Sequence, residues 1–148
     1  MTTATPAIYG QFGQTLAFAE RTLTAILSEH LAQRGTTPQT WYALKLIAAS
    51  GQGVSRQALS SDLERSRNQD AGSVRALLAR LEAEGLITGD GHVNLTPQGE
   101  ERYRDLLEYV SAPTIRLLGQ FDLSDVETTI RTMAAITKRA AEEAATAA

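Results

Sequence analysis

Between residues 74 and 103 the hydrophobic period changes twice, and few folds accommodate that. Val74, Leu77, Leu78 and Leu81 fall at i, i+3, i+4 and i+7, the spacing of one helix face, and Gly85 ends the run. Leu86-Ile87-Thr88 and His92-Val93-Asn94-Leu95 follow as two short strand-like pieces around Gly89-Asp90-Gly91. An Asp-Gly step between apolar segments signals a hairpin. Thr96-Pro97 then reads as an N-cap residue with a first-turn proline. It opens a helix carrying Tyr103, Leu106, Leu107 and Val110, then Ile115, Leu117 and Leu118. Helix, tight hairpin and helix in immediate succession predict a mainly helical chain with one small β element.

The flanking segments are helical in pattern. Residues 7–33 place Ile8, Phe12, Leu16, Ala19, Leu23, Ile26, Leu27 and Leu31 at 3–4 spacing, which predicts a long amphipathic helix ended by Gly35. Thr37-Pro38 repeats the cap-and-proline signature before a second helix with Trp41, Leu44, Ile47 and Ala48, which stops at Gly51 to Gly53. A short third helix is expected from Ser55, with Ala58, Leu59 and Leu63 inward, and the polar residues 64–70 are expected to form a turn. Pro113 is expected to kink or break the fifth helix. Ser124 and Glu127 have the spacing of a capping box that opens a sixth helix with Val126, Ile130, Met133 and Ile136. The tail from Ala140 is expected to fray. No repeat or linker interrupts the order.

With 148 residues, one core can be built without staples, and the absence of cysteine removes disulfides, thiol catalysis and thiolate-bound metals. No apolar run approaches the roughly 18 residues that span a bilayer, and no basic stretch precedes an apolar run at the N-terminus. The expectation is a cytoplasmic chain without a signal peptide. His30 and His92 are a poor start for a metal site that needs three or four ligands, so no metal is expected. No cofactor loop, nucleophile–base pair or spaced carboxylate pair stands out, so no enzyme is expected.

The net charge of −3 argues against nonspecific attraction to nucleic acid. Residues 55–80, however, hold five arginines, Arg56, Arg65, Arg67, Arg75 and Arg80, against three acids, Asp62, Glu64 and Asp70. Nucleic-acid binding needs a basic face rather than a basic protein.

Two short helices about a polar turn, the second running into a Gly-tipped hairpin, make a winged helix-turn-helix. Here the chain resembles the multiple-antibiotic-resistance regulator (MarR) family over nearly its whole length. The resemblance is carried by TPQTWYALKLIAAS (37–50) as a second helix and SVRALLARLEAEGLI (73–87) as a recognition helix entering the first wing strand. VNLTPQGEERY (93–103) continues it as the second wing strand entering the fifth helix, and LSDVETTIRTM (123–133) as the last dimerisation helix. It implies six helices and a short hairpin wing, with a winged-helix lobe at 37–99 and dimerisation helices at 1–36 and 100–148. It further implies a homodimeric, sequence-specific regulator of palindromic double-stranded DNA operators, a repressor relieved by a small ligand. Two departures stand out: the wing is short and lacks a tip arginine, and the recognition helix carries few polar side chains. A protein-interaction module, or a small-molecule sensor without DNA binding, is the alternative reading.

At 100° per residue, Gln69, Gly72, Ala76 and Ala79 should point away from the core of the fourth helix, with Ser73 and Arg75 on the flanks. In DNA, Arg75 would read guanine, Gln69 adenine, and Ala76 a thymine methyl. Arg56, Arg65 and Arg67 would meet phosphate, and His92 would be all that the wing offers. The resemblance assigns Arg80 to holding the wing through Asp90. It also assigns His30, Arg34, Trp41, Tyr42 and Tyr103 to a cleft suited to an aromatic carboxylate, with plain core packing as the other reading. The dimer face is expected at Ile8, Phe12, Leu117, Leu118, Phe121, Ile130 and Met133.

Overall fold

The computed structural model describes residues 6–51, 53–67 and 69–147, with the side chains of residues 66 and 67 outside that description. Among the described residues the elements follow in order: α1 (Ala7–Ala32), α2 (Pro38–Ser50), β1 (Val54–Ser55), α3 (Arg56–Arg67), α4 (Ala71–Ala83), β2 (Ile87–Thr88), β3 (His92–Leu95), α5 (Pro97–Leu118) and α6 (Leu123–Ala147). The fold is mainly helical with one small antiparallel sheet, a winged helix-turn-helix. The chain divides into two compact units, Met1–Val110 and Ser111–Ala148. The division falls inside α5.

The helix ends in the first unit follow from local chemistry. Thr37 is extended and its hydroxyl accepts from the Thr40 amide at 3.3 Å, with Pro38 in the first turn. Thr96 does the same for α5, accepting from the Gly99 amide at 3.0 Å and donating to the Gly85 carbonyl. Gly35 and Gly85 both sit at positive φ, 71° and 76°. Each closes its helix with a 6→1 bond, Thr36 N to Leu31 O and Leu86 N to Leu81 O, both 3.0 Å. That left-handed closure is where glycine replaces other residues.

These ends hold one core together. Leu31 of α1, Trp41, Leu44 and Ile47 of α2, and Leu59 and Leu63 of α3 meet Val74, Leu77, Leu78 and Leu81 of α4, with Ile87, Val93 and Leu106 closing the cluster. Each fully buried leucine contributes on the order of 1.5–3 kcal/mol. Gly99 is buried where α5 passes the wing base, and a Cβ there would lie 2.0 Å from the Leu86 carbonyl oxygen.

The sheet has one strand more than the hairpin alone. β2 pairs with β3 (Ile87 with Leu95, Thr88 with Asn94), and β1 pairs with the other edge of β3 (Val54 with Val93, Ser55 with His92). Other boundaries also differ from the sequence reading. α3 runs on through residues expected to turn, which places Arg65 and Arg67 on its last turn. Pro113 lies inside α5, which continues past it to Leu118 rather than breaking there. α6 is capped by Asp122, whose Oδ1 takes the Ser124 amide and hydroxyl, both at 2.8 Å, so no Ser124–Glu127 box forms. α6 remains helical to Ala147 rather than fraying from Ala140.

Candidate nucleic-acid interface

The apolar stripe of α4 fixes what its other side presents. With Val74, Leu77, Leu78 and Leu81 buried, Gly72, Ser73, Arg75, Ala76, Ala79 and Arg80 are exposed. The face is built almost wholly of small side chains, with two guanidinium groups projecting from it. Asp70 caps its N-terminus: Oδ1 accepts from the Ser73 amide at 2.7 Å, and Oδ2 from the Ser73 hydroxyl at 3.2 Å. The Ser73 amide, chiefly, holds the Asp70 carboxyl below its ordinary value. A Cβ on Gly72 would stand 3.2 Å from Asp70 Oδ1 and 3.9 Å from Arg75 Nη2, so glycine leaves room for this cap.

Gln69 does not join that face. It precedes the cap, outside the helix, so the 100° rotation does not apply to it. Its Oε1 is buried and has no hydrogen-bond partner among the described residues.

The wing is held by a different arginine from the expected one. Arg80 and Asp90 form neither an ion pair nor a hydrogen bond with each other. Arg56 instead donates through Nε to the Asp90 carbonyl at 2.9 Å and through Nη2 to the Gly89 carbonyl at 3.0 Å, and it pairs with Glu82 of α4. The cause is the register of β1 on β3. Pairing Ser55 with His92 sets the next residue beside the hairpin tip, where the Arg56 amide donates to the Gly91 carbonyl at 3.0 Å. Arg56 is therefore engaged with the wing and with Glu82 in the free protein. Arg65 pairs with Asp62 one turn back at 2.8 Å, both side chains exposed. The Arg67 side chain lies outside the described residues. His92 is exposed on β3.

The aromatic residues separate into two groups. Trp41 is buried and stacks on Tyr103, ring centroids 5.6 Å apart and 16° between planes, so this pair packs the core. His30 and Arg34 meet Tyr109 instead, His30 edge-on at 6.1 Å and Arg34 with its guanidinium 4.0 Å above the ring. The Tyr109 hydroxyl donates to Gln33 at 2.9 Å. Tyr42 is half-buried. Tyr109 lies six residues beyond Tyr103 on α5, about 240° around the helix, so the spacing of the two tyrosines gave no signal for it.

A cavity of about 240 Å³ opens elsewhere in the first unit, lined by Ile47 and Ala48 of α2, Gly51 and Gly53 after it, Asn94 and Leu95 of β3, and Glu100, Tyr103 and Arg104 of α5. Of the expected ligand residues, only Tyr103 reaches it. Among the described residues no group of three acidic or histidine side chains gathers as a metal site. Among the described residues no helix is long and apolar enough to cross a membrane.

Large apolar side chains remain uncovered in both units. Ile8 and Phe12 of α1 are exposed, as are Leu117, Leu118, Phe121, Ile130 and Met133 of the second unit. Leu31 is the only buried residue of α1, and α6 has none.

No family model matches the sequence. No curated protein matches it either. Solved structures do match. Staphylococcus aureus MarR in complex with salicylate and kanamycin is 19% identical, covering 93% of this chain and 95% of its own, at a TM-score of 0.76. CouR from Rhodococcus jostii RHA1 bound to p-coumaroyl-CoA is 18% identical, covering 89% and 95%, at 0.72. A Mycobacterium tuberculosis MarR-family protein in complex with DNA is 20% identical, covering 90% and 98%, at 0.67. The chain has the winged helix-turn-helix fold of the MarR-family transcriptional regulators.

Proposed function

We propose that this chain is a homodimeric regulator that binds palindromic duplex DNA through α4 and the wing, and that a small molecule relieves its repression. The observation that carries the DNA reading is the exposed face of α4, where Arg75 and Arg80 project from a surface of glycine, serine and alanine. Small side chains let a helix sit deep in a major groove, and a guanidinium reads guanine O6 and N7 from there. The cap at Asp70 fixes the N-terminal turn, the part of a recognition helix that meets base edges. The DNA-bound relative of the same fold lends support.

The dimer reading rests on the uncovered apolar side chains of α1 and the second unit. A row of such residues on a chain of this size marks an interface, and a two-fold copy is the commonest cover. Two copies related in this way would present two α4 helices, roughly one DNA turn apart.

The test is binding to duplexes carrying palindromes from the DNA beside the gene, measured by fluorescence anisotropy over a series of salt concentrations. Affinity should fall steeply with salt as counterions are released. Arg75→Ala should weaken binding by about 1–3 kcal/mol and relax one base per half-site. Arg65→Ala should weaken all duplexes alike and flatten the salt slope by about one. No duplex binding at low salt would leave the protein-interaction module or the DNA-independent sensor instead.

A further inference from the structure

The cavity beside β3 combines an apolar wall with two opposite charges that do not meet each other. Ile47, Ala48, Leu95 and the Tyr103 ring supply the wall, and Asn94, Glu100 and Arg104 the polar groups. Glu100 and Arg104 are four residues apart on α5, with the acid on the N-terminal side, an arrangement that ordinarily pairs. Here neither has an ion-pair or side-chain hydrogen-bond partner among the described residues, and both line the same opening. The Asn94 amide is likewise free of a hydrogen bond among them. It lies against Gly53, where a Cβ would come within 2.9 Å of its Oδ1.

This combination selects by charge. A simple carboxylate bound to Arg104 would bring its charge to within a helical turn of Glu100. A simple amine bound to Glu100 would face Arg104. A molecule with both charges on one carbon satisfies the two side chains, whose Cβ atoms stand about 5–6 Å apart in a helix. Its ammonium goes to Glu100 and Asn94 Oδ1, and its carboxylate to Arg104. At about 240 Å³ the cavity lies below the roughly 300–1,000 Å³ of pockets for drug-sized ligands, so the occupant is smaller than those.

We propose that this cavity binds a free α-amino acid with a short apolar side chain, held by Glu100 and Arg104 with its side chain against Ile47, Ala48, Leu95 and Tyr103. The proposal deepens the small-molecule part of the reading above and is independent of the DNA part. The occupant would touch β3, the strand shared by the wing and β1, which gives it a route to the proposed DNA-binding surface.

The experiment uses the whole protein without DNA. L-leucine is titrated by calorimetry and by amide chemical shifts, beside two analogues that each lack one charge, 4-methylpentanoate and 3-methylbutylamine. L-leucine should bind at least about tenfold more tightly than either analogue, with shifts at Gly51, Gly53 and Asn94. Arg104→Gln should remove the preference over 3-methylbutylamine, and Glu100→Gln the preference over 4-methylpentanoate. Both residues are exposed, so the variants should fold, which unchanged spectra elsewhere in the chain will check. No binding at millimolar leucine, equal binding of the three compounds, or shifts confined to other residues would each overturn the proposal. Because no DNA is present, failure here leaves the DNA reading standing, and failure to bind DNA leaves this site standing.

Discussion

Arg56 Nε donates to the Asp90 carbonyl at 2.9 Å, joining two residues 34 positions apart in the chain. This bond, with those to Gly89 and Glu82, holds the hairpin tip against the start of α3 and the last turns of α4.

Removing it should free the wing. The Arg56–Glu82 pair is partly exposed, at 34% and 42%, so screening reduces its worth. We expect Arg56→Gln to destabilise the closed hairpin by about 1 kcal/mol, which is about fivefold faster amide exchange around residues 88–92. Arg80→Ala should leave exchange there unchanged. The opposite pattern would return the wing-holding role to Arg80.

Gly99 offers a sharper test of the packing. A Cβ at this position meets backbone, the Leu86 carbonyl oxygen, which cannot swing aside as a side chain would. Gly99→Ala should lower unfolding stability by at least about 3 kcal/mol. Gly91→Ala, with open space around it, should change stability little. Urea denaturation of the two variants side by side measures the difference; equal midpoints would mean that α5 does not pass the wing base this closely.

The cap of α4 predicts a pH dependence. Hydrogen bonding from Ser73 holds the folded-state Asp70 carboxyl below its ordinary 3.8. A depressed value means that the carboxylate stabilises the fold above 3.8 and that this contribution is lost as pH falls through the lower folded-state value. In an NMR titration the Ser73 amide shift should inflect below 3.8, and that inflection should vanish in Asp70→Asn. An inflection at or above 3.8 would show that the cap does not form in solution.

The dimer reading makes a simple demand on mass. Phe12 and Ile130 are 43% and 57% exposed, so a charge at either position meets no packed core of its own chain. Phe12→Asp and Ile130→Asp should each keep helical content and shift the protein from dimer to monomer in sedimentation at micromolar concentration. A wild-type protein that already sediments as a monomer would reject the dimer.

Much of the fold was legible because its signals are local. Thr37-Pro38 and Thr96-Pro97 each place a cap and a fixed φ side by side, and the stripe of α4 needs only its own residues. Where two local signals competed, sequence gave no ranking: Asp122 and Ser124 can both cap α6, and the structure uses the aspartate. β1 escaped notice because two residues carry no period. That omission hid the role of Arg56, since only the pairing of Ser55 with His92 brings it to the wing. Gln69 lies one residue before the Asp70 cap, where the helical rotation no longer sets a side chain's direction. The cavity beside β3 draws on three separated segments, which no spacing rule connects.

The plain face of α4 also separates two properties that often constrain each other. Ala71, Ala76, Ala79 and Ala83 are strong helix formers that hold α4 without any exposed side-chain contact to lose. Replacing one with glutamine or arginine costs only tenths of a kcal/mol in helix propensity. New side chains can therefore be written onto this face one at a time, each adding a preference without first erasing another, which makes it a favourable starting surface for evolving altered recognition.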